Sequence, residues 1–83
     1  MNPEALLRIA DEFCTVRRTH IQSFPALVAL SSLFGASISG VPLYRNDQER
    51  AVTIKNATTK LAPLAGHNTD FGEFLAELSR RLD

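Results

Sequence analysis

The sequence predicts an all-α fold, a small single-domain bundle of three to four helices spanning residues 1–83, and three observations carry the prediction. Segments near both ends repeat apolar residues at helical spacing in a single stripe, which another element must cover. Between them, Ile21 to Tyr44 contains no Asp, Glu, Lys or Arg and can supply that cover. Helix-start signals stand at Asn2-Pro3-Glu4, at Asn46 with Glu49 three residues on, and at Asp70 with Glu73. The alternative is an α+β fold with a short hairpin at about residues 41–56.

The first helix is expected over residues 3–22. Asn2 caps it, Pro3 takes the first position, and Leu6, Ile9, Phe13, Val16 and His20 recur at spacings of three and four on one face. His20 is read there as a core or rim histidine. Pro25 limits the helix, because the residue before a proline avoids helical dihedrals. Ala26 to Phe34 is apolar nearly all round and predicts a buried helix, with Gly35 ending it in the left-handed region. Ala36 to Pro42 reads as a turn or irregular connection.

Asp47 to Ala62 admits two readings. As a helix it sets Ala51, Ile54, Thr58 and Leu61 on one face, with acids at its start and Lys55 and Lys60 towards its end, in accord with the dipole. As a hairpin, Val52-Thr53-Ile54 would pair with Val41 to Arg45. The helix is the preferred reading, and Pro63 and Gly66 close the segment in both. The last helix is capped by Asp70 and carries Phe71, Phe74, Leu75, Leu78 and Leu82 on one face, with Glu77 able to reach Arg80 or Arg81.

With 45% apolar and 22% charged residues, the composition is that of a globular protein. A chain this short buries only about 60–65% of its unfolded surface, so a partner or self-association has much to add. The formal net charge is zero, yet residues 1–14 and 61–83 carry an acidic excess and residues 15–60 a basic one. The single Cys14 suits a reducing compartment, and Glu4, Asp11 and Glu12 stand where a secretory signal would need apolar residues; the expected location is cytoplasmic.

Motifs that carry chemistry are few. Gly35-Ala36-Ser37-Ile38-Ser39-Gly40 has the glycine spacing of a phosphate-binding loop, but Val41-Pro42 replace the Lys and Ser or Thr that reach phosphate and Mg²⁺. Cys14, His20 and His67 lack metal-ligand spacing, and Cys14 has no nucleophile signature around it. The sequence therefore predicts no enzyme, no cofactor, and no catalytic, cofactor-binding or metal residues.

From Leu30 onward the chain resembles the helix-turn-helix of prokaryotic DNA-binding proteins. Leu30, Ser31 and Phe34 fit the first helix, Gly35-Ala36-Ser37 the turn, and Val41 and Tyr44 the second helix. The resemblance implies a DNA-binding transcriptional regulator. Pro42 would then lie inside the recognition helix, and Ile38, Ser39 and Gly40 would face the groove without the donors that read bases. The uncharged stretch has the length of a membrane span, but prolines, glycines and serines dilute it, so no membrane is expected.

The preferred reading is a non-catalytic regulatory protein of inhibitor, antitoxin or adaptor type. It would act through protein–protein contacts on a partner with an acidic surface, or as a homodimer. Its partner-binding candidates are Arg17, Arg18, Arg45 and Arg50.

Overall fold

The computed structural model describes residues 1–35, 37–38, 41–42 and 44–81. The described residues form four helices: α1 (Pro3–Arg17), α2 (Phe24–Leu33), α3 (Asp47–Leu61) and α4 (Asn68–Arg81). Between α2 and α3, Ser37–Ile38 pairs antiparallel with Val41–Pro42 in a two-residue ladder. The fold is a small all-α bundle, as the sequence predicts.

Each of the first three helices starts on a side-chain cap that accepts from an orphan N–H. The Asn2 Oδ1 accepts from Ala5 N at 2.7 Å, the Ser23 hydroxyl from Ala26 N at 3.2 Å, and the Asn46 Oδ1 from Glu49 N at 2.8 Å. The fourth starts differently. His67 takes a left-handed φ of 61°, its carbonyl accepts from Phe71 N at 2.9 Å, and Asp70 sits inside the first turn instead of capping it. Asn68 then clamps the preceding turn, accepting from Leu64 N at 3.0 Å and donating to Leu64 O at 2.9 Å.

The first helix is shorter than expected. It stops at Arg17 because Arg18 turns left-handed, with φ 58°, and its N–H closes on the Cys14 carbonyl. The stop lies ahead of Pro25, so His20 lies outside the helix and is exposed, not a core or rim group on its face. The core stripe of α1 is also rotated from the predicted one. Leu6, Ala10 and Cys14 are buried, Ile9 and Phe13 are half-buried, and Val16 is 72% exposed.

The second helix is buried on one side only: Ala26, Leu27, Leu30 and Ser31 face inward, while Phe24 and Val28 are exposed. Its C-cap is Phe34 in right-handed conformation, so Gly35 has no left-handed role. The hairpin reading of residues 41–56 is overturned: Val52-Thr53-Ile54 lies inside α3, where the Asn46 cap, two early acids and late Lys60 all favour a helix. Ala51, Ile54 and Thr58 form its buried side, and Leu61 is exposed.

The closest helix pair is α3 and α4, which run antiparallel. Small residues make the approach possible, with Gly72, Ala76 and Ser79 of α4 buried against the α3 side. Buried hydroxyls stay satisfied by bonding back within their own helices: Thr58 donates to Ile54 O, Ser79 to Ala76 O and Ser31 to Val28 O, each at 2.7 Å. Leu6, Cys14, Leu27, Leu30, Phe34, Ile54, Leu64, Phe71 and Leu75 belong to one core that draws on every helix.

The α1–α2 and α3–α4 connections are stitched together. Ile21 and Leu64 form an antiparallel bridge; Ala65 N donates to His20 O, and Gln22 N to Pro63 O, both at 2.8 Å. Ser23 N also donates to Pro63 O, and Gln22 Nε2 reaches Ala62 O at 2.8 Å. This seam fixes the C-terminal end of α1 beside the start of α4.

Candidate interaction groove between the first and last helices

The seam and the rotated stripe of α1 together leave a surface groove between α1 and α4. Ile9 and Phe13, half-buried against the edge of the core, and Val16, which is exposed, line a groove on α1 together with Phe74 of α4. Phe13 packs against the buried Phe71 with ring centroids 4.9 Å apart and against Phe74 at 5.9 Å, both pairs tilted, so this ring links the core to the groove. Above it lies an open groove of about 380 Å³, lined by Ile9, Glu12, Phe13, Val16, Arg17, Asp70 and Phe74.

The rim is charged in both signs. Arg17 lies over the Phe13 ring, 5.5 Å from its centroid, and its Nη1 is 3.7 Å from Asp70 Oδ2. His67 Nδ1 approaches the same carboxylate oxygen at 3.7 Å. Both partners of the Arg17–Asp70 pair are about half exposed, so the pair contributes little to stability and either can turn to a visitor. Glu12, on the opposite flank, makes no ion pair among the described residues.

The structure divides the four candidate arginines. Arg17 and Arg18 lie at the end of α1, beside the start of α4. Arg45 and Arg50 lie at the start of α3, where Arg50 Nη2 donates to Ser79 O at 2.8 Å and meets Asp47 at 3.1 Å. Asp70 and Ser79 are nine positions apart on α4, about 13 Å along its axis, so the arginines form two pairs at opposite ends of that helix. Arg50 is half-buried and ties α3 to the end of α4, while Arg45 is open to solvent with Glu49 4.0 Å away.

Cys14 is buried, and that burial, with the nearby Asp11 carboxylate adding to it, pushes its thiol pKa upward, away from nucleophile or ligand behaviour. Among the described residues no group of three or more His, Cys, Asp or Glu could hold a metal, and no helix is long and apolar enough to cross a membrane. The helix-turn-helix resemblance loses its second helix: Val41 and Pro42 lie in the short ladder, as does Ile38, which was to face the groove. Ala36, Ser39 and Gly40, which complete that motif and the glycine pattern, lie outside the described residues, as does Leu82.

The groove itself was hidden in the sequence within stripes read as core. Each terminal helix carries more apolar width than the core accepts, and Phe74, exposed to 44%, is the surplus on α4 as Val16 is on α1. Comparison with protein-family models, with curated proteins and with solved structures finds no match.

Proposed function

We propose that this is a non-catalytic binding protein of the cytoplasm, an inhibitor, antitoxin or adaptor, that acts through protein–protein contacts centred on the α1/α4 groove. The observation that supports this is the convergence of surplus apolar residues from two helices on one charged-rimmed groove: Val16 at 72% and Phe74 at 44% exposure line it beside Phe13, whose ring tilts against that of Phe74. Grooves between helices receive apolar anchors from a partner, and charged rims set orientation and encounter rate. Arg17 and Arg18 beside the groove offer positive charge to an acidic surface on the partner, with Arg45 as a second, separate contact.

The test is capture of partner proteins from the native host by the wild type and three sets of variants. Val16→Asp with Phe74→Asp should lose the partner, Arg17→Glu with Arg18→Glu should weaken it, and Val52→Asp, on exposed α3 surface, should retain it, all with unchanged circular dichroism. A partner that survives the groove variants removes the groove from the reading.

A further inference from the structure

We propose that protonation of His67 loosens Arg17 from Asp70 and so releases a guanidinium to the rim of the α1/α4 groove as pH falls. The switch is a property of three side chains; only its use by a partner rests on the functional reading above.

One carboxylate oxygen serves two bases. Asp70 Oδ2 stands 3.7 Å from Arg17 Nη1 and 3.7 Å from His67 Nδ1. Arg17 arrives from the end of α1, over the Phe13 ring, whereas His67 immediately precedes α4 and lies three positions from Asp70. A guanidinium keeps its charge throughout the neutral range, while an imidazole is the side chain that changes charge there. With His67 neutral, Arg17 is the one cation on this oxygen among the described residues. Protonation of His67 sets a second cation on it, which divides the attraction of Asp70 and repels the guanidinium. The imidazolium holds the advantage, because ordering a ring three positions away costs less entropy than holding a long arginine side chain across two helices.

The other charges around the site do not duplicate this behaviour. Glu12 lines the groove and Arg18 follows Arg17, and side chains of both types hold their charge where imidazole titrates. On α4, Glu73 pairs with Lys55 of α3 at 3.8 Å. His20, the other histidine, is exposed in the seam and makes no ion pair among the described residues. The Arg17–Asp70 pair is half exposed, and exposed pairs are weak enough for one added charge to shift them. The ratio of paired to released Arg17 should fall about two- to fivefold on protonation.

The experiment is nuclear magnetic resonance of the full chain between pH 5 and 8, following the Arg17 Nε–H signal and the His67 Cε1–H signal in one sample. The two signals should move with a common midpoint in the wild type. His67→Gln should remove the movement of the Arg17 signal, and His20→Gln should leave it in place. Asp70→Asn removes the shared anion and should hold the Arg17 signal at its released position at every pH. Circular dichroism controls for folding in all three variants. An Arg17 signal that stays still in the wild type overturns the proposal, as does one that still moves in His67→Gln or in Asp70→Asn.

No partner enters this measurement, so its failure leaves the groove reading untouched. A switch that operates in a protein whose host capture ignores Arg17→Glu supports the proposal and removes only Arg17 from the host contact.

Discussion

Gly72 of α4 lies against the backbone of Lys55 in α3: a Cβ at Gly72 would stand 3.1 Å from the Lys55 carbonyl oxygen and 3.3 Å from the Thr58 Cβ. The approach is tight because α3 and α4 meet over small side chains, and the atom in the way is backbone that cannot swing aside. A glycine inside a helix is disfavoured by local propensity, so its presence here reflects the neighbouring helix.

Gly72→Ala is accordingly expected to destabilise the protein by about 1 kcal/mol. Overpacking at such a contact costs about 1–3 kcal/mol, and the gain in helix propensity offsets about 1 kcal/mol of it. Urea unfolding followed by circular dichroism should show a lowered midpoint with an unchanged slope. A raised midpoint would mean that α3 and α4 can separate without cost.

Arg18 and Ala62 end their helices in left-handed conformation, with φ of 58° and 45°, a region where a Cβ costs about 1–2 kcal/mol and glycine is preferred. Ala62→Gly should therefore raise stability by about 1 kcal/mol, or roughly 4–8 °C in melting temperature for a domain of this size. Arg18→Gly should stabilise similarly while weakening partner capture, since it removes a cation beside the groove. Thermal melts and capture measured on the same preparations test both halves of that expectation.

The two arginines at the start of α3 should behave differently. Arg50→Ala removes a charge-assisted hydrogen bond to the Ser79 carbonyl and should cost about 1.5–3 kcal/mol. Arg45→Ala alters an exposed side chain beside Glu49 and should change stability by less than about 0.5 kcal/mol. Equal losses of stability in the two variants would contradict the distinction.

Burial raises the Cys14 thiol above its ordinary value of 9.0, with Asp11 adding to the effect. The folded state thus holds the thiol proton to higher pH than the unfolded chain does. The associated stability is complete below the unfolded value and is lost as pH rises through the folded one. Stability should decline above about pH 9, and Cys14→Ala should remove that part of the decline. A residual slope should remain from Tyr44, which burial also raises from 10.0, with Arg50 opposing and Glu49 adding. Native protein should be alkylated far more slowly than urea-unfolded protein at the same pH.

Much of the fold was legible because local signals agree. Asn2 and Asn46 cap where their positions predict, Ala51, Ile54 and Thr58 form the inner side of α3, and Glu77 pairs with Arg80 at 3.2 Å and Arg81 at 3.3 Å. The failures arise where tertiary contacts override local preference. Nothing in Arg18 itself announces a helix stop; the left-handed turn there belongs to the seam that follows it. Periodicity places Leu6 and Val16 on one broad apolar face, but only the third dimension decides that Leu6 enters the core and Val16 lines a groove. The arginines were visible as residues, not as two pairs: Arg50 is separated from Arg17 by the length of α4, which a linear count of charges cannot register.

The stitching of the two connections bears on how the chain holds its own order. His20 to Ser23 on one strand of backbone, and Pro63 to Ala65 on the other, bond across about 40 positions of sequence, and Leu64 drives its side chain into the core from the middle of that seam. The α1–α2 half and the α3–α4 half therefore grip each other through main-chain bonds as well as side chains. If the chain were cut between Gly35 and Tyr44, each fragment would carry one lip of the seam and a share of the core, the elements that a split protein needs to reassemble from its two pieces.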